Sequence, residues 1–123
     1  MNNFVKLNRV RDALNEQIRV HKDTESALRA EGRQDESVFE KIRVNVLGIF
    51  VTMLNVAEKR EQNDEAAQRF FVQKLDSIPN EWQQSMKNAQ AHDDEEKAHI
   101  ERIKLETVAQ IRAQANEIWE EWA

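Results

Sequence analysis

The chain has 123 residues, of which 33% are charged, with only two glycines, one proline and no cysteine. So few turn-forming residues exclude a sandwich or barrel of many short strands, and the absence of cysteine excludes disulfides, thiol catalysis and thiolate metal sites. The net charge of -5 disfavours binding to nucleic acid or to an anionic membrane surface. This length fits a single domain over residues 1–123. No continuous apolar run near the N-terminus resembles a secretion signal, so we expect a cytoplasmic protein.

The first predicted helix runs from about Asn3 to Ala30. Its apolar positions recur every three or four residues, as on one face of a helix. Those positions are Leu7, Val10, Leu14, Ile18, His21 and Leu28. Gly32 follows the last of them at the place where a left-handed residue commonly ends a helix.

The second predicted helix begins near Asp35 and ends near Arg60 or Glu61. Asp35 is a suitable N-cap, and Ser37 with Glu40 forms an alternative capping box. The stripe expected to face the core is Phe39, Ile42, Val46, Ile49, Phe50, Met53 and Ala57.

The third predicted helix is capped by Asn63 or Asp64 and contains the single proline, Pro79. Proline disfavours a helical conformation at the residue before it and removes a backbone donor. The apolar phase nevertheless continues across Pro79, which predicts a helix that is kinked or split there. The stripe is Ala67, Phe71, Leu75, Ile78, Trp82, Met86 and Ala89.

The fourth predicted helix begins after a capping box of Asp93 and Glu96 and continues to about Trp122. Its stripe is Ile100, Ile103, Val108, Ile111, Ala115, Ile118 and Trp122. An alternative is one long helix through His92 that extends as an arm to a second chain.

Helices of similar length with short connections predict an up-down-up-down four-helix bundle. The chain start, the end of helix two, the start of helix three and the chain end then share one end of the bundle. The aromatic and apolar residues expected there are Phe4, Leu54, Phe70, Phe71, Trp119 and Trp122. The other half is expected to hold His21, Glu25, Trp82, Glu96 and His99.

The most apolar segment is NVLGIFVTMLNVA, from Asn45 to Ala57. Its 13 residues are too few for a membrane span, which needs about 20. Beside the core stripe, Val44, Leu47, Val51 and Leu54 form a second arc that a lone bundle would expose. An exposed apolar arc indicates an interface, so we expect a homo-oligomer, or a complex with another protein, packed through helix two. The predicted interface is Val44, Leu47, Gly48, Val51, Thr52, Leu54 and Phe70.

Two tryptophans near the C-terminus allow two interpretations. Trp119 and Trp122 either plug the end of the bundle or anchor a partner protein, because tryptophan is enriched at binding hot spots. The plug is the preferred interpretation.

The remaining candidate chemistry is a metal site. Glu96 and His99 form one E-x-x-H motif, and His21 with Glu25 lies one helical turn apart on helix one. Bundles with two-metal sites use two E-x-x-H motifs, and this sequence has one, in which Glu96 already serves the predicted cap. We therefore expect no cofactor and a non-enzymatic interaction or assembly module, with a metal- or small-ligand-binding bundle as the alternative. A regulatory or nucleic-acid-associated subunit is the third interpretation.

Overall fold

A computed structural model describes residues 4–120. Within this range the regular secondary structure is α-helical throughout, which confirms the predicted all-α class. The helices are α1 (Val5–Ala30), α2 (Gln34–Arg60), α3 (Asp64–Ser77), α4 (Asn80–Ala91) and α5 (Glu95–Glu120). The third predicted helix is therefore two helices, α3 and α4, and the fourth predicted helix is α5.

The break between α3 and α4 lies at Pro79, as predicted. α3 ends at Ser77 and α4 begins at Asn80, while Pro79 is buried at the junction and its carbonyl accepts the amide of Gln83 at 3.0 Å. Proline fits the position before a helix because the missing N–H has no helical partner there.

The end of α1 is a Schellman motif centred on Gly32. Gly32 has a φ of 79°, and its N–H donates to the Arg29 carbonyl at 3.1 Å. The Arg33 N–H donates to the Leu28 carbonyl at 2.9 Å. This pair of bonds is the pattern that a left-handed residue permits, and it confirms the predicted cap.

The end of α4 uses the same pattern, with Asp93 in the left-handed position that glycine normally occupies. Asp93 has a φ of 56°, and the Asp94 N–H donates to the Ala89 carbonyl at 2.8 Å. The side chain that caps α5 is that of Asp94, whose Oδ1 accepts the Lys97 N–H at 3.1 Å. The predicted Asp93–Glu96 box is wrong, because Asp93 ends the preceding helix.

The predicted caps of α2 are wrong as well. The N-cap position is Arg33, which makes no side-chain cap bond, so Asp35 lies inside the first turn. Ser37 is buried and its hydroxyl donates to the Gln34 carbonyl at 2.8 Å. The tight turn through Gly32 brings the chain into α2 before Asp35 is reached.

One end of the molecule gathers the starts of α1 and α3 and the end of α5. Asn63 caps α3 by accepting the Ala66 N–H at 2.9 Å, which confirms one of the two predicted caps. The Asp64 carboxylate instead accepts the backbone N–H groups of Lys6 and Leu7, each at 3.0 Å. The Lys6 ammonium then donates to the Trp119 carbonyl at 3.1 Å.

The opposite end joins α1, α2 and α5. His21 and Glu40 share a hydrogen bond between α1 and α2. The Phe39 and His99 rings meet edge-on with centroids 4.9 Å apart, which places α5 beside α2.

The main core lies between α1, α2, α3 and α5. α2 packs against α1, α3 and α5, whereas α4 packs chiefly against α5. Phe71 lies edge-on to both Phe50 and Trp119, at centroid distances of 6.0 and 5.9 Å. The buried core comprises Leu7, Val10, Leu14, Val46, Leu47, Phe50, Leu54, Ala57, Ala67, Phe70, Phe71, Leu75, Val108, Ile111, Ala115 and Trp119. Within residues 4–120, none of the helices has an apolar stretch long enough to cross a membrane.

Candidate functional site

Much of the predicted interface on helix two belongs to the core of the single chain. Leu47 and Leu54 are both 0% exposed, so the expectation that they lie on the surface is wrong. Phe70 is also buried, with Arg60 and Lys74 over its ring at 5.2 and 5.3 Å. The physical reason is that three helices pack against α2, which buries a wider sector of it than one stripe.

The smaller members of the predicted interface lie nearer the surface. Val44 and Val51 are half-buried, and Val51 packs against the core. Gly48 is half-buried, and a methyl group added to it would meet no atom within 4 Å. Thr52 is exposed and its hydroxyl donates to the Gly48 carbonyl at 3.0 Å, so its polar group is already satisfied.

The apolar side chains that α2 does expose are Val38 and Ile49, at 49% and 36%. Ile49 was predicted to face the core, and that prediction is wrong. The two residues are eleven positions apart, which separates them by only about 20° around a helix. They therefore lie on one outward face.

Four more residues complete this face, at alternating spacings of four and three along α2. Ile42 and Val56 are half-buried, while Asn45 and Thr52 are exposed. We call the set of six the outer stripe. It consists of Val38, Ile42, Asn45, Ile49, Thr52 and Val56.

The outer stripe is neutral and lies between charges of opposite sign. α2 carries no charged residue between Arg43 and Glu58. Its first turn holds Asp35 and Glu36, and its last turn holds Lys59 and Arg60. Each pair suits the helix dipole at its own end. Asp35 and Lys59 continue the spacing of the outer stripe at its two ends, whereas Glu36 is paired with Arg33, and the exposed Lys41 lies near the same end as Asp35.

The other exposed large apolar side chains of the described chain are Val5 and Val20, both on α1. Val20 follows Gln17 by three residues, and Gln17 bonds to Gln114 of α5, so Val20 lies toward α5 and away from the outer stripe. Single exposed valines are normal on protein surfaces and indicate no site. The outer stripe differs because several apolar residues share it.

The residues of the alternative metal site have other surroundings. His21 bonds to Glu40, Glu25 pairs with Arg29, and His99 contacts the Phe39 ring. Glu96 and His99 are both exposed. In residues 4–120 no group of three or more His, Asp and Glu side chains could hold a metal ion, so the four predicted ligands do not form one site.

Trp119 is buried, with 5% of its surface exposed, and packs on Phe71. The prediction that it presents an exposed anchor to a partner is wrong, and its position agrees with the plug interpretation. Trp122 lies outside the described residues.

Comparison of the chain with protein-family models, with curated proteins and with solved structures finds no match. Inferences about its function therefore depend on its own residues.

Sequence reasoning missed Val38. A valine between Glu36 and Glu40 looks incidental in a charged turn of the sequence. The signal that could have identified it was the regular spacing that connects it to Ile42 and Ile49 along the whole length of α2.

Proposed function

We propose that this protein is a non-enzymatic assembly module, a four-helix bundle in up-down-up-down order that forms a homodimer through the outer stripe of α2. A bundle of this order is supported by the contacts at its two ends. Asp64 bonds to the start of α1 at one end, and Phe39 contacts His99 at the other. The cysteine-free composition suits a reducing compartment, and we place the module in the cytoplasm.

The observation that carries the dimer is the exposure of Val38 and Ile49 on one outward face of α2. The apolar residues on the inner side of α2 pack against α1, α3 and α5. These three helices leave the outer stripe uncovered. An apolar face of this kind at the surface is typical of an interaction site. Because Thr52 satisfies its hydroxyl within α2, burying that part of the stripe leaves no new unpaired hydroxyl.

The exposed apolar area of the outer stripe also sets the affinity that we expect for the proposed dimer. Fully burying a valine or isoleucine contributes about 1.5–3 kcal/mol, so covering the exposed parts of Val38 and Ile49 contributes about 1 kcal/mol each. A symmetric pair doubles this gain, and the half-buried Ile42 and Val56 roughly double it again. Association costs at least about 4 kcal/mol, which leaves a weak dimer with a Kd on the order of 1 mM.

The test is the molecular mass in solution as concentration rises to about 1 mM, by light scattering and NMR diffusion. We expect the wild type to shift reversibly from monomer toward dimer. Ile49→Asp should remain monomeric while keeping its helical content, because the replaced side chain is already partly in water. Val20→Asp is the matched control, since Val20 is 45% exposed on α1 but lies off the outer stripe.

Two results would contradict the proposal. One is a wild-type protein that stays monomeric over the whole concentration range. The other is an Ile49→Asp variant that dimerises as well as the Val20→Asp control.

A further inference from the structure

The spacing of the outer stripe is that of a coiled-coil seam. Its residues alternate by four and three positions, which gives an average repeat of 3.5 residues. The heptad a positions are Ile42, Ile49 and Val56, and the d positions are Val38, Asn45 and Thr52. A 3.5-residue repeat keeps a seam facing one straight neighbouring helix, and in a homodimer that neighbour is α2 of the second copy.

We propose that the two α2 helices pair antiparallel, an inference that rests on the proposed dimer and assigns its geometry. The charges at the ends of α2 decide the direction. A parallel pair would set Asp35 against Asp35 of the second copy, and Lys59 against Lys59 of the second copy. An antiparallel pair instead places each acidic first turn beside a basic last turn and also opposes the two helix dipoles.

Each of these exposed charge pairs is weak when taken singly. Nevertheless, when the pair of α2 helices changes from parallel to antiparallel, the charges at both ends of the pair change from repulsion to attraction. We expect the combined effect to favour the antiparallel pair by about tenfold at low salt, and less at high salt because exposed charges are screened.

The register follows from full overlap of the two seams. Val38 of one copy then faces Val56 of the other, Ile42 faces Thr52, and Asn45 faces Ile49. Every a position meets a d position, which is how antiparallel coiled-coil seams interleave. The same register sets Asp35 opposite Lys59 without further adjustment.

The two-fold axis of this pair passes near Gly48. The space around Gly48 is open in the single chain, so the second helix can approach closely there. The two Asn45 side chains lie on either side of the axis, about 6 Å apart along the helix direction. A polar residue within a seam is a recognised means of selecting one register, and Asn45 is suited to that role.

The experiment is disulfide trapping, which the cysteine-free chain makes direct. Val38→Cys and Val56→Cys are prepared separately, checked for folding by circular dichroism, and oxidised alone and as an equimolar mixture. We expect the mixture to form the disulfide-linked heterodimer at least about tenfold more than either variant links to itself, because only the mixture brings the two sulfurs within bonding distance. A mixture of Val38→Cys and Val20→Cys measures linking by random collision.

A second pair protects the test against misfolding, because Val56 packs on the core. Ile42→Cys and Thr52→Cys also face each other in this register and leave the charges at the ends of α2 in place, since Ile42 is half-buried and Thr52 is exposed. This pair should give the same preference for the mixture, in proportion to the antiparallel population.

The outcomes separate this inference from the proposed function. Self-linking of Val38→Cys and of Val56→Cys above the collision control would show a parallel pair and overturn the antiparallel geometry. A dimer that is lost in Ile49→Asp, yet gives no linking above the control in either mixture, would overturn the register while leaving the proposed function standing. A strictly monomeric wild type would overturn both.

Discussion

The hydrogen bonds from Asp64 to the start of α1 make a strong prediction about stability. α1 has no side-chain cap of its own, and its Lys6 and Leu7 amides are satisfied by the Asp64 carboxylate of α3 at 3.0 Å each. Asp64→Ala removes both acceptors and the negative charge at the positive end of the α1 dipole. A lost N-cap costs about 1–2 kcal/mol, and a lost carboxylate at a helix start costs about 0.3–1 kcal/mol.

We therefore expect Asp64→Ala to lower the free energy of unfolding by about 2 kcal/mol. For a domain of this size the midpoint of thermal unfolding should fall by about 8 °C. Urea denaturation followed by circular dichroism measures the first quantity, and a thermal scan measures the second. In hydrogen exchange, the Lys6 and Leu7 amides should lose protection more than amides in the middle of α1 do.

Glu65→Ala is the control, because Glu65 shares the first turn of α3 and its ion pair with Arg69 is exposed. It should change stability by less than about 0.5 kcal/mol. Asp64→Asn keeps one acceptor oxygen and should fall between the two. The reasoning is refuted if Asp64→Ala stays within about 0.5 kcal/mol of the wild type or matches Glu65→Ala.

Three further measurements test other features of the chain. Gly32 and Asp93 hold the same left-handed position at the end of a helix, which glycine adopts more easily than other residues. In urea denaturation, Gly32→Ala should therefore lower the free energy of unfolding by about 1 kcal/mol, and Asp93→Gly should raise it by up to about 1 kcal/mol. Replacing Glu101 and Lys104 together by methionine should stabilise by up to about 1 kcal/mol in the same assay, because one buried Glu101 carboxylate oxygen has no hydrogen-bond partner within the described residues and the other is paired only with Lys104, at 3.2 Å. The hydrogen bond from Arg19 lowers the pKa of Glu16 below its ordinary 4.5, so this pair stabilises the fold at neutral pH and the contribution is lost as pH falls through the lowered pKa. In an NMR titration, Arg19→Gln should return the pKa of Glu16 to its ordinary value, and an unchanged pKa would contradict this cause.

The features that the sequence predicts correctly are those that depend on a few neighbouring residues. The split at Pro79 follows from the chemistry of one residue, and the cap at Gly32 follows from the freedom of another. The Asn63 cap is recognisable because a polar side chain directly precedes a new apolar phase.

The predictions that fail are those in which neighbouring residues compete for one role. Asp93 and Asp94 both suit an N-cap, and only the backbone shows that Asp93 ends α4 while Asp94 caps α5. Asp64 was a candidate cap for its own helix. It instead caps α1, a contact across 57 and 58 positions of sequence that no local pattern contains.

The orientation of α2 could not be derived from its apolar pattern for a different reason. When nearly every position is apolar, the direction of the core is set by the neighbouring helices, and three of them pack on α2. The sequence correctly indicates an apolar surplus on α2, but it assigns Leu47 and Leu54 to the surface and Ile49 to the core, the reverse of the structure. The apolar surface that α2 exposes, the outer stripe, is smaller than the predicted arc. Its residues follow a 3.5-residue repeat, and charges of opposite sign lie at its two ends. In the proposed dimer so small a seam would pair weakly, so the concentration of the chain should control its assembly more than the total apolar content of α2 suggests.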